Sequence, residues 1–143
     1  MRTLKVRKTL PTATLPTRAH PTDAGLDLYA AEPVELHPGE RALVSTGISV
    51  EIPESTVGLI CPRSGIALAH GITVVNAPGV IDSGYTGEVK VLLANMSNHL
   101  CSFDTGDRIA QMVLTPCFLP LIEETRELAE TSRSDQGFGS SGS

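Results

Sequence analysis

Short β-branched runs, each set off by proline, glycine or other turn residues, recur along this chain: "LKVRKTL", "GLDLYAA", "ALVSTGISVEIP", "VGLICP", "GITVVNAPGVID", "GEVKVLLAN" and "RIAQMVL". Long helical periodicity is missing from most of the sequence. In the third run Ile48, Val50 and Ile52 alternate with Ser49 and Glu51, the period-two pattern of a strand with one face in a core and the other in water. Strands of this kind, repeated with turn signals between them, predict an all-β fold: a jelly-roll-like antiparallel sandwich or barrel.

"SGIALAH", Ser64 to His70, is the one stretch in the middle that predicts a short helix, with Ser64 as its N-cap. Near the end "LIEETRELAETSRSD" turns acidic and loses the β pattern, and "QGFGSSGS" is almost all small residues. A compact body over residues 1–124 and a mobile C-terminal arm over 125–143 are therefore expected. A length of 143 residues suits one such domain and is short for two.

Charge and cysteine usage narrow the function. The formal net charge is −5 and the basic residues form no dense patch, which argues against long nucleic acid as a partner. "MRTLKVRKTL" carries charge with no continuous apolar stretch behind it, so neither a secretory signal nor a membrane anchor is expected, and the reading is cytoplasmic. Cys61, Cys101 and Cys117 are odd in number and lack a CxxC pair; they read as buried small hydrophobes, not as a disulfide framework or zinc site. His20, His37, His70 and His99 are scattered, and none is assigned a metal. Tryptophan is absent and the aromatics are Tyr29, Tyr85, Phe103, Phe118 and Phe138, so an aromatic outside the core calls for an explanation.

Five segments combine special residues with strand ends. "DAGLDLYA" places Asp27 in an apolar strand, where a carboxylate needs a partner. "PRSGIA" sets Arg63, Ser64 and Gly65 at a helix start, where free N–H groups favour an anion. "GVIDSGYTGEV" has strand-like flanks with glycines inside, the mark of a tight hairpin or of a molecule coming close to the backbone, and it carries Asp82 and Tyr85. "DRIAQMVL" holds Gln111 inside a β run, and "RSDQGFGSSG" joins an arginine, a lone aromatic, glycines and three serines. Taken singly, the four segments besides "GVIDSGYTGEV" each have a plain structural reading: a turn brace, a surface ion pair, a cross-strand amide, a linker.

Together, in order and nearly in spacing, they resemble the five motifs of the trimeric dUTPase family. The resemblance runs from about Leu15 to Gly142, and "GVIDSGYTGEVKV" is its most specific part. It implies a β-jelly-roll homotrimer with active sites shared between subunits. It also implies hydrolysis of dUTP to dUMP and pyrophosphate with Mg2+, a dUTP diphosphatase activity that clears dUTP and supplies dUMP for thymidylate synthesis. On this resemblance Asp82 is the catalytic aspartate, which orients and deprotonates a water for attack on the α-phosphorus; an exposed aspartate is ionised at neutral pH and suits that task. Tyr85 packs under the deoxyribose, where a 2′-hydroxyl would collide with the ring.

The hairpin residues Gly79, Val80, Ile81, Lys90 and Val91 would read uracil largely through backbone groups, with Asn76 supplying an amide. Arg63, Ser64, Gly65 and Gln111 match positions that meet the phosphates and the attacking water. Asp27 matches a carboxylate acting on magnesium through its water shell. In the arm, Phe138 would stack on uracil while Arg133, Gly139, Ser140 and Ser141 hold the phosphates. Ser134 and Gln136 stand where the family usually has glycine; a side chain there adds strain if φ is positive.

Two rivals can be weighed. dCTP deaminase resembles this fold and hairpin but needs a glutamate in the following strand, at the position of Leu92, which has no proton to give. A catalytically silent binding module would have no use for a water-activating Asp82.

Overall fold

The computed structural model describes residues 3–131 and 134. In chain order the elements are β1 (Lys5–Lys8), β2 (Gly25–Tyr29), β3 (Val34–Leu36), β4 (Arg41–Glu51), β5 (Thr56–Cys61), α1 (Ser64–His70), β6 (Ile72–Val74), β7 (Gly79–Ile81), β8 (Glu88–Asn95), β9 (Cys101–Phe103) and β10 (Arg108–Pro116). All pairings are antiparallel. They form two four-stranded sheets, β1-β4-β8-β6 and β2-β10-β5-β7, and the pair β3-β9.

Alternation along the strands makes the core. From one sheet Ile48, Val50, Val89, Val91, Leu93, Ile72 and Val74 are buried, and from the other Leu26, Leu28, Ile60, Ile109 and Met112 join the same apolar cluster. Each such side chain contributes roughly 1.5–3 kcal/mol by leaving water. The all-β antiparallel architecture with one short helix is the one expected from the runs.

Some local readings change. "GITVVNAPGVID" divides into β6 and β7, which lie in different sheets, because the turn residues Asn76 and Pro78 break it. β3 and β9, three residues each, pair with one another and leave no run in the sequence. Ser49 is buried instead of facing water, since β4 is an inner strand covered by β1 and β8. The N-cap of α1 is Arg63, not Ser64: Arg63 has the extended φ −99° and ψ 128° that continue the chain from β5, and its carbonyl accepts the Ala67 N–H at 3.0 Å. Of the cysteines only Cys101 is buried, and burial pushes its thiol pKa up. Cys61 and Cys117 are half-buried at strand ends.

β10 ends at Pro116, and no strand or helix follows among the described residues. Phe118, Leu119, Leu121 and Ile122 are exposed. Ser134 has φ 47°, the left-handed region where a side chain is strained and glycine is not. Arg133, Gln136, Phe138, Gly139, Ser140 and Ser141 lie outside the described residues. Among the described residues no helix is long and apolar enough to cross a membrane.

Candidate active site

Strand register assembles a polar cleft. Gln111 on β10 lies opposite Asp27 on β2 and opposite Cys61 on β5. The residues that follow Cys61 are Pro62, Arg63 and the start of α1, so three distant segments converge at one strand end. Asp23, Gly25, Asp27, Arg63, Ser64, Gly65 and Gln111 line the resulting cleft of about 210 Å³.

Its charge comes from arginine. Arg63 Nε donates to Asp27 Oδ1 at 2.8 Å and Arg108 Nη1 to Oδ2 at 3.4 Å. The Asp27 side chain is only 13% exposed, so it has the partners that its apolar strand demanded. Two guanidinium groups face the Asp27 carboxylate, and Asp23 on the cleft wall supplies a second carboxylate to set against them. α1 has only seven residues, so its dipole is a minor addition. Gln111 Nε2 donates to the Pro62 carbonyl at 2.9 Å, and a Cβ at Gly25 would strike Gln111 Oε1; glycine there leaves the amide oxygen its room. Asp23 closes one side. The His20 backbone N–H, 2.9 Å from Asp23 Oδ2, holds that carboxyl below its ordinary range.

A second, smaller cleft of about 50 Å³ lies where β7, an edge strand, meets β8 and β6. Asn76, Gly79, Val80, Ile81, Lys90 and Val91 line it together with Leu92. Gly79 is buried, and a Cβ on it would come within 3.2 Å of Asn76 Nδ2. The edge strand keeps backbone groups available to a ligand on the side away from β5. No residue lines both clefts.

Between β7 and β8 the chain crosses from one sheet to the other through a turn that carries Asp82 and Tyr85. The Tyr85 N–H donates to the Asp82 carbonyl at 3.0 Å. Asp82 is exposed and the Tyr85 side chain stands in the open at 44% exposure. The Tyr85 hydroxyl donates to the Glu88 carbonyl at 2.8 Å, laying the ring along Gly87.

The residues singled out from the sequence thus fall into three places: Asp27, Arg63, Ser64, Gly65 and Gln111 in the first cleft; Asn76, Gly79, Val80, Ile81, Lys90 and Val91 in the second; Asp82 and Tyr85 on the turn. Sequence reasoning did not single out Arg108, Asp23 or Gly25. A carboxylate in an apolar strand signalled that Asp27 needed cationic company, though not that Arg108 provides it. No signal existed for Gly25, whose neighbour is far away in sequence.

Together these features define a β-sandwich with an arginine-bearing polar pocket at its strand ends and an aromatic-bearing hairpin, an arrangement suited to a small phosphorylated ligand. The family model described as dUTPase matches residues 12–142, and the chain belongs to the dUTPase family. It is 48% identical over 139 residues to the deoxyuridine 5'-triphosphate nucleotidohydrolase of Clostridium novyi (strain NT), covering 97% of this chain and 98% of that protein. The corresponding protein of Mycolicibacterium gilvum (strain PYR-GCK) is 51% identical over 138 residues, with 92% and 90% covered. Among solved structures, a mutant dUTPase of Staphylococcus bacteriophage 80alpha with dUpNHpp superposes with a TM-score of 0.93 at 30% identity over 100% of both chains. A mutant dUTPase from phage phi11 of S. aureus, solved with a coordinated structural Mg(II) ion, gives 0.82 at 30% identity over 88% of this chain and 98% of that one.

Proposed function

We propose that this protein hydrolyses dUTP to dUMP and pyrophosphate, with Asp82 as the base that takes a proton from a water attacking the α-phosphorus. The observation that carries the reading is the single turn holding an exposed Asp82 beside Tyr85, next to a cleft fit for a base and apart from a cleft fit for phosphates. Uracil enters between β7 and β8 and bonds to backbone groups of the edge strand and to the Asn76 amide. A narrow cleft of this kind excludes cytosine by mismatched donors and thymine by its methyl group. Tyr85 lies under the sugar, where a 2′-hydroxyl would meet the ring.

Arg63, Ser64, Gly65 and Gln111 take the phosphates and the water. Arg63 and Arg108 supply the local positive charge, so the net-negative chain need not attract a polyanion as a whole. A magnesium ion fits this cleft in one way. Among the described residues no group of three or more His, Cys, Asp or Glu could hold a metal, whereas magnesium keeps several waters and takes its other ligands from phosphates. Asp27 uses two of its lone-pair sites on arginines and has two left for such waters. Bound with the nucleotide, the ion neutralises phosphate charge.

Base and phosphate clefts with no shared residue favour a homotrimer in which one chain's hairpin faces a neighbour's Arg63 cleft. The exposed Phe118, Leu119, Leu121 and Ile122 gain burial in such an assembly. The arm, with Phe138, Arg133, Gly139, Ser140 and Ser141, closes over a neighbour's site. The enzyme works in the cytoplasm, where dUTP is cleared and dUMP is consumed in thymidylate synthesis.

Deamination is disfavoured by Leu92, an apolar residue lining the base cleft. The test is product analysis with dUTP and dCTP in the presence of magnesium. Pyrophosphate and dUMP from dUTP alone are expected; ammonia from dCTP, or no turnover of either, would overturn the reading.

A further inference from the structure

Glu88, the first residue of β8, is tied down at both of its ends. Its carbonyl receives the Tyr85 hydroxyl at 2.8 Å. Its carboxylate reaches across to β4, where Oε1 accepts the Ser45 hydroxyl and, at 2.9 Å, the Gly47 N–H. Lys90 Nζ stands 3.8 Å from the other oxygen.

What it grips is a bulge. Ser45 pairs with Lys90 and Ser49 with Glu88, so between these two pairs β4 has three residues, Thr46, Gly47 and Ile48, against one, Val89, on β8. Gly47 takes φ 63°, and a Cβ there would come within 2.8 Å of Ala13 Cβ. Its carbonyl is held in turn by the N–H groups of Thr9 and Leu10 at 2.7 and 3.3 Å. The bulge is therefore a fixed point of the sheet, and bulges of this sort re-aim neighbouring side chains. Burial pushes the Glu88 carboxyl pKa up, but the Ser45 hydroxyl, the Gly47 N–H and Lys90 outweigh it and hold the group ionised below its ordinary range.

Tyr85 has no comparable support of its own. The residue is 44% exposed and is located by the turn bond to Asp82 and by the hydroxyl bond to Glu88. We propose that Glu88 is a positioning residue for sugar selection: its carboxylate fastens the start of β8 to the β4 bulge, and its carbonyl thereby sets where the Tyr85 ring lies. This rests on the proposed role of Tyr85 and extends it to a residue that touches no substrate.

The test compares kcat/KM for UTP with kcat/KM for dUTP in the full-length protein, alongside Tm, for Tyr85→Ala, Glu88→Ala, Glu88→Gln and the Tyr85→Ala/Glu88→Ala double variant. Tyr85→Ala should raise the ratio. Glu88→Ala should raise it about five- to tenfold, the effect of one lost hydrogen-bonded anchor. Glu88→Gln, which keeps an accepting oxygen, should restore most of the selectivity. In the double variant Glu88→Ala should add nothing, because the ring it positions is gone. If Tyr85→Ala changes the ratio and Glu88→Ala lowers Tm alone, Glu88 is merely structural and the inference fails. If Tyr85→Ala leaves the ratio unchanged, the role of Tyr85 and the inference fall together. Should Glu88→Ala not fold, Ser45→Ala removes a donor from the same carboxylate and must raise the ratio; an unchanged value overturns the inference.

Discussion

The Tyr85 ring lies so close to Gly87 that a Cβ on Gly87 would meet its Cζ and Oη at 2.6 Å. Only a residue without a side chain lets the ring fold back along the hairpin to reach the Glu88 carbonyl. Gly87→Ala should therefore push the ring away while leaving the core intact. We expect kcat/KM for UTP relative to dUTP to rise about tenfold with little change in Tm. An unchanged ratio would show that the ring's position does not select the sugar.

Asp82→Asn preserves shape and removes the proton acceptor. Turnover should fall by about 10²- to 10⁴-fold, the usual contribution of a positioned base, while a non-hydrolysable dUTP analogue binds as before. A variant retaining more than about a tenth of the activity would remove Asp82 from the role of general base.

Much of this architecture was legible in the sequence because strand alternation and turn chemistry are local. β4 and β8 announce themselves through Ile48, Val50, Val89, Val91 and Leu93, and the helix through "SGIALAH". The five motifs could be read because each packs its special residues into a short stretch. Pairing across sheets is not local, and there the sequence was silent. Nothing near Asp27 names Arg108 as its second cation, since the contact depends on β2 lying beside β10. Nothing near Ser49 says that its outward face is covered by Arg7 and Glu88 on the flanking strands. Glu88 reads as an ordinary polar residue opening a strand until the bulge at Gly47 is seen opposite it.

The Glu88 carboxyl also gives a pH signature. Its folded pKa is held below the ordinary glutamate value, so its contribution to stability is complete above that ordinary value and is lost as pH falls through the depressed one. The Tm advantage of the unmodified protein over Glu88→Gln should stay constant from neutral pH down to the ordinary glutamate range and shrink below it. An advantage that persists undiminished in stronger acid would contradict the clamp.

The sandwich is complete at β10, which ends at Pro116, so removing residues 133–143 should spare the fold. A chain ending at Ser132 should melt close to the full-length protein but hydrolyse dUTP far more slowly, because closure excludes water and positions the triphosphate. Mixing it with full-length Asp82→Asn chains should recover some activity through sites that combine an intact Asp82 with a neighbour's arm. Full-speed hydrolysis by the truncated chain alone would reduce the arm to a linker.

The most direct test follows the oxygen of the attacking water. In a single-turnover reaction with dUTP, magnesium and ¹⁸O-labelled water, attack on the α-phosphorus places the label in dUMP and leaves pyrophosphate unlabelled. That distribution, formed about 10²- to 10⁴-fold more slowly by Asp82→Asn, is the expected result. Label in pyrophosphate, or dUTP left uncleaved by the unmodified protein, would contradict it.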